Sequence, residues 1–337
     1  MFEQKPLGPL TGRFGFWGLN HNFKRTKIST MLPNIRQNAL AFYVLEEIDL
    51  ETAKFQFGGR LEIQRFRPLL AEQGGGHMDH SEGIPEAVDR TFTGASVSAG
   101  LQVNTWKNGL AVVNYNHSFR APSSEALYSY GPHIGSLAYQ VGNPNLQSER
   151  GNGIEISLRQ KNSDLKGELN VFYYNFDNFI FPFGTNEIKN GLSVFRFSEQ
   201  KTRFLGTEAK LNINLHPHLW LNLGMDYVDA KETVLKTPLP RIPPLRGKLG
   251  FNFNHLGFEV LPELIVAAKQ HQIFTGETRT PGYALLNLKA SYTLAQQHLA
   301  HQFSVKVFNM SDRLYRNHSS FIKNLAPEIG RGLRLNY

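Results

Sequence analysis

Leu286-Asn287-Leu288-Lys289-Ala290-Ser291-Tyr292-Thr293-Leu294 sets an apolar residue at every second position and a polar one between. Successive side chains of a strand point to opposite faces, so this stretch reads as a strand with one apolar and one polar face. The pattern recurs. Phe55, Phe57, Leu61 and Ile63 alternate with Lys54, Gln56, Arg60 and Glu62. Val97, Ala99, Leu101 and Val103 alternate with Ser98, Gln102 and Asn104, and Ala209, Leu211, Ile213 and Leu215 with Lys210, Asn212 and Asn214. No segment carries a helical stripe of comparable length. The chain reads as all-β.

About fourteen strands are expected, near 10–23, 36–48, 53–66, 91–104, 109–120, 149–161, 164–178, 203–214, 219–231, 244–254, 258–271, 282–294, 301–312 and 329–337. Many exceed the roughly five or six residues usual in globular sheets and suit the roughly nine to eleven needed to cross a bilayer. The connections alternate. Short ones (Asp49–Thr52, Thr105–Asn108, Asn162–Ser163, Leu215–His218, His255–Gly257) are rich in turn residues. Long ones lie near 24–35, 67–90, 121–148, 179–202, 232–243, 272–281 and 313–328. Short inner turns and long outer loops mark a transmembrane antiparallel β-barrel, and with Tyr337 placed inside every long loop falls outside. Pro262 conflicts with its strand and predicts a bulge or a misplaced boundary.

Composition narrows the classes. In 337 residues, 41% hydrophobic with mean hydropathy −0.33, no run approaches the roughly 18–20 apolar residues of a spanning helix. Aromatics at 12%, including 25 Phe, suit a lipid-facing surface with interfacial girdles. Cysteine is absent, which excludes disulfides, Cys-ligated zinc and thiol catalysis. The net charge of +8 comes from scattered Lys and Arg. No basic run or nucleic-acid module is visible, so no nucleic-acid partner is expected. In a barrel such cations meet lipid phosphates, or simply decorate solvated faces. Met1 to Pro9 lacks the charged and then apolar regions of an export leader, which predicts a chain incomplete at its start, a fragment or a truncated reading frame.

Several segments resemble the carboxyl-terminal barrel of TonB-dependent receptors. Phe119-Arg120-Ala121-Pro122-Ser123 with Gly142-Asn143-Pro144-Asn145-Leu146-Gln147-Ser148-Glu149 resembles the paired FRAPS and GNPNL-x-x-E segments. Leu205-Gly206-Thr207-Glu208 resembles a strand opening, and Pro238-Leu239-Pro240-Arg241-Ile242-Pro243-Pro244 the PRIPP loop. Val307-Phe308-Asn309-Met310-Ser311-Asp312-Arg313-Leu314-Tyr315 and Gly330–Tyr337 resemble the two closing segments. The resemblance spans essentially the whole chain and implies one barrel domain, residues 1–337, in the bacterial outer membrane. Family barrels have 22 strands and hold an amino-terminal plug preceded by a TonB box, so about eight strands, the plug and that box are expected to be missing here. The function implied is energised uptake of a scarce solute, with the TonB system acting only through that plug. Outer-membrane lipid and lipopolysaccharide are the other expected partners. The alternatives are a passive porin-type channel, a non-functional truncated receptor, and a soluble all-β binding protein.

The most informative polar cluster is Gly74-Gly75-Gly76-His77-Met78-Asp79-His80-Ser81-Glu82, in an outer loop. His77, Asp79, His80 and Glu82 are types that ligate a divalent metal, zinc first, and the triple Gly lets the backbone fold around an ion. The family's zinc-receptor branch has similar loops, which favours zinc or another metal, free or chelated, as the solute. The plainer reading is a solvated loop with no ligand. His216, His218, His255, His298 and His301 fall at short turns. His133, His271 and His318 lie in or near outer loops, where an incidental or structural role competes with lining the solute's path. His117 sits on an apolar face near its strand's outer end. Phe172-Tyr173-Tyr174-Asn175-Phe176 suggests ring stacking with a ligand or, more simply, a membrane girdle. No G-x-S-x-G, P-loop or H-E-x-x-H occurs, and Glu46 and Glu47 point to opposite faces, so no enzyme and no resident cofactor are expected.

Overall fold

The computed structural model describes residues 2–24, 31–69 and 86–337. Its strands are β1 (Phe2–Glu3), β2 (Leu10–Phe23), β3 (Asn34–Asp49), β4 (Ala53–Leu69), β5 (Arg90–Trp106) and β6 (Gly109–Arg120). One helical turn, α1 (Ser124–Tyr128), precedes β7 (Tyr130–His133), β8 (Ala138–Val141) and β9 (Glu149–Lys161). Then come β10 (Leu165–Lys189), β11 (Leu192–His216), β12 (Leu219–Glu232), β13 (Arg246–His255) and β14 (Phe258–Ala267). The chain closes on β15 (Tyr283–Ala295), β16 (Ala300–Phe308) and β17 (Gly332–Asn336). No helix among the described residues is long and apolar enough to cross a membrane.

All 17 strands belong to one sheet. Setting aside β1, β7 and β8, the others form an antiparallel meander from β2 through β6, then β9 to β17. The expected fourteen strands are therefore present. Tight hairpins are set by turns such as Leu256–Gly257, where φ is 48° and 84°, positive at both centres as a type I′ turn requires.

The alternation sorts the side chains. Leu40, Leu61, Ile63, Phe57, Ile154, Val171, Leu286 and Leu333 stand exposed on one face as a continuous apolar belt. Apolar side chains left exposed in this way are those of a lipid-facing wall. The opposite face is polar and neutralises itself, across strands where Lys54 meets Glu47 at 2.7 Å and Lys289 meets Glu259 at 2.8 Å, and along β4 where Arg60 meets Glu62 at 2.6 Å. This is the lumen face.

Three expectations need correction. Residues 179–202 are not a loop. β10 and β11 each run 25 residues and meet at Asn190–Gly191, with φ of 53° and 76°. The polar stretch Thr185–Asn190 masked a strand continuation whose register shifts between Phe176 and Phe179 and again between Gly184 and Ile188. Pro262 neither makes a bulge nor lies outside its strand. It pairs with Leu288 on β15, while toward β13 the rungs between Gly250–Glu263 and Phe253–Val260 are missing with the register unshifted. The lost proline donor thus opens the ladder locally, without bending it. The third correction concerns Phe172–Phe176. Only Tyr173 lies on the exposed apolar face; Tyr174 hydrogen-bonds Glu155 on the lumen side. An even-numbered ring on β10 faces the lumen, so this run is not an interfacial girdle.

Candidate functional site

At the outer ends of the strands the loops fold in over the lumen face. Ser123 caps α1, its Oγ accepting the Ala126 N–H at 3.1 Å. Ala126, Leu127 and Tyr128 are buried against Ile35, Phe66 and Phe92, lumen-facing side chains near the outer ends of β3, β4 and β5. The segment Gly142–Leu146 then docks on the helical turn. The Gly142 N–H donates to Ser129 O at 2.6 Å, and the Asn143 N–H to Ala126 O at 2.7 Å. The Arg90 guanidinium holds Leu146 O at 2.9 Å, with Leu146 itself 1% exposed. A Cβ on Gly142 would stand 2.7 Å from the Leu127 carbonyl and the Ser129 nitrogen, so only glycine permits this approach. The Tyr128 hydroxyl donates to Val88 O at 2.8 Å, and burial pushes its pKa up to about 12. The segments that carry the family resemblance therefore act here as a packed cap.

Beside the cap an aromatic column climbs the lumen face. Phe172, Tyr174, Phe176, Phe179 and Phe181 follow one another on β10 with ring centroids 5.3 to 6.3 Å apart. Phe204 lies 5.1 Å from Phe179, and Phe274 lies 5.7 Å from Phe181. Phe172 lies over Gly206, Tyr174 over Gly153 and Phe176 over Gly151, positions where a Cβ would strike the ring. The glycines let the rings lie flat on the wall. Phe181 and Ala230 bury Leu239 of the Pro238–Pro244 loop to 2% exposure, tying that loop to the column.

A charged knot joins the next loops. Glu277 accepts the Arg241 N–H at 2.9 Å and the Phe274 N–H at 3.1 Å. Its carboxylate lies 3.7 Å from His318 Nε2 and 3.8 Å from Lys323 Nζ. His318 Nδ1 bonds the Thr280 hydroxyl, and Lys323 Nζ stands 3.1 Å from the same nitrogen. The Arg241 guanidinium stacks 3.8 Å over Phe321. Burial pushes the Glu277 carboxyl up, but the nearby His318 ring, the two backbone donors and the Lys323 charge together hold it below its usual range. Burial pushes Lys323 down despite Glu277. Residues 238–244, 270–280 and 313–328 thus converge on one anion, beside a cavity of about 190 Å³.

Of the residues singled out as metal ligands, His77, Asp79, His80 and Glu82 all lie outside the described residues. Among the described residues no group of three or more His, Asp or Glu is arranged to hold a metal ion. His318 is buried in the charged knot rather than lining a path, His133 bonds Ser136 at 2.9 Å, and His271 is exposed. His216, His218 and His255 cluster at the short turns, as expected. Glu277 and Lys323 carried no signal in the sequence, whereas Arg241 lies within the quoted PRIPP-like loop.

Comparison with known proteins settles the family. The model of the family described as TonB dependent receptor-like, beta-barrel, matches residues 6–310. The chain belongs to that family. Among solved structures, this receptor barrel is similar to the copper transporter OprC, with TM-score 0.80 and 16% identity over 97% of the chain and 54% of OprC. It is similar to the FrpB iron transporter (F3-3 variant) from Neisseria meningitidis, with TM-score 0.71 and 11% identity over 99% and 53%. It is also similar to the ferric yersiniabactin uptake receptor FyuA from Yersinia pestis, with TM-score 0.62 and 12% identity over 99% and 50%. The TonB-dependent receptor chain spans about half the length of the structures it matches. The family is one of outer-membrane receptors and transporters, not enzymes.

Proposed function

We propose that this chain forms the barrel wall and outer mouth of a receptor for energised uptake of a metal ion or metal chelate, with zinc favoured. The observation that carries the reading is the way the outer loops fold over the lumen and lock to one another. A passive pore leaves its lumen open, whereas a receptor needs a mouth that captures solute before anything passes. The choice of a metal comes from His77, Asp79, His80 and Glu82, whose imidazoles and carboxylates suit a borderline divalent cation such as Zn²⁺. Structural relatives that transport copper, iron or ferric chelates are consistent with cargo of this chemistry. Energy would come from the TonB system acting on a plug domain seated in the lumen.

The test uses the receptor in outer-membrane vesicles with ⁶⁵Zn²⁺. Replacing His77 and His80 together by Ala should lower zinc binding about tenfold or more, and the wild-type affinity should fall as pH drops through about 6.5, because protonated imidazole cannot ligate. Asp79→Asn should weaken binding less. Equal zinc affinity in wild type and double variant removes the metal loop. Steady solute flux that does not depend on TonB would favour the passive channel instead.

A further inference from the structure

The apolar belt ends abruptly on β3 and β4. On the lipid-facing side of β4, Leu61 and Ile63 are followed at the same two-residue period by Arg65 and Arg67. On β3 the same face carries Arg36 and Asn38 before Leu40 and Phe42. The opposite face here holds the buried Ile35 and Phe66, so the orientation of the arginines is fixed. Arg65 is then about 7 Å and Arg67 about 13 Å beyond the apolar edge, at the end that carries the long loops.

Their pairing is unusual. Arg36 stands directly across the ladder from Arg67, and Asn38 across from Arg65. Like charges placed opposite one another on a sheet destabilise it. Among the described residues the compensation is incomplete. A single carboxylate oxygen of Asp89 takes both Arg65, at 2.8 Å, and Arg67, at 3.2 Å. Among the described residues Arg36 has a neutral partner, its Nε donating to Asn22 Oδ1 at 3.0 Å. Arg65 and Arg67 stay 49% and 46% exposed. Among the described residues, three guanidinium groups thus stand together on the membrane side of the wall, at headgroup depth, with one carboxylate paired to two of them.

We propose that Arg36, Arg65 and Arg67 form a docking site for the phosphate groups of lipopolysaccharide in the outer leaflet. Guanidinium forks match phosphate oxygens two at a time, and the belt below gives the acyl chains a surface to lie on. A phosphate bridging Arg36 and Arg67 supplies the anion that the ladder lacks.

The test is the amount of lipid A retained by the protein extracted from outer membranes in mild detergent, then its rebinding of diphosphoryl lipid A followed by native mass spectrometry. R36Q/R67Q should lower retention and rebinding on the order of tenfold. D89N, which removes the competing carboxylate, should raise rebinding. K107Q/K161Q removes the same charge at a short-turn end and should leave both unchanged. A heat-modifiable band on gels identifies folded material for every variant. The proposal is overturned if R36Q/R67Q binds as wild type does, or if K107Q/K161Q loses as much. It is also overturned if D89N has no effect, if dephosphorylated lipid A binds equally well, or if inorganic phosphate alone binds as tightly as lipid A.

Discussion

Gly142 shows how much one missing carbon can matter at the outer mouth. Its position against the Leu127 carbonyl and the Ser129 nitrogen leaves no room for a methyl group, and the backbone atoms on the far side cannot rotate away. Gly142→Ala should therefore lift the 142–146 segment off α1, costing about 1–3 kcal/mol of local stability as an overpacking change does. Leu127→Ala attacks the same dock from the other side. With Leu127 at 0% exposure the cavity it leaves should cost about 2–5 kcal/mol. Limited proteolysis of folded protein should cut residues 129–148 faster in both variants; equal cutting rates would show that the dock is not what holds this loop. Residue by residue the sequence was uneven in what it disclosed. The GNPNL-like stretch pointed to Gly142 as part of a family-like motif, but nothing local indicated the backbone it would meet. Arg36 and Arg67 looked like two scattered cations, and only the register of β3 against β4 puts them face to face.

At the scale of elements, the charged knot ties three loops that share no strand. Its chemistry gives it a pH dependence with a definite sign. The folded Glu277 carboxyl sits below its ordinary value of 4.5, so the knot's contribution is full above that value and is lost as pH falls through the lower folded one. Hydrogen exchange in residues 313–328 should accelerate below about pH 4.5, and Glu277→Gln should make exchange fast and insensitive to acid. An unchanged acid response in that variant would assign the effect to another group. The knot was not readable beforehand, because its members come from separate loops and are brought together by tertiary packing alone. The hairpin of β10 and β11 was readable in principle. Asn190-Gly191 is a strong two-residue turn signal, but the polar residues before it and the bulge after Phe176 broke the alternation that had served elsewhere.

For the whole molecule, alternation carried most of the information. It returned the strand meander, the lipid-facing belt and the lumen face, since period two depends on backbone geometry that every strand shares. The absence of cysteine makes the wall directly testable by single-cysteine labelling. Spin labels at positions 57, 61, 211 and 286 should be quenched by lipid-soluble agents, and labels at 54, 60, 210 and 289 by water-soluble ones. Equal lipid quenching of the two sets would refute the barrel orientation.

The long hairpin has a mechanical consequence. At about 3.4 Å per residue, a strand of 25 residues extends some 85 Å, while an apolar band about 25 Å tall takes up less than half of it even with tilt. The remainder is a stiff mast standing clear of the bilayer, with its tip at Asn190–Gly191. Its two strands are continuous with the stretch that carries the aromatic column, with the register shifts at Phe176/Phe179 and Gly184/Ile188 between tip and wall. A load on that tip would be carried down the hairpin toward the aromatic column that faces the lumen.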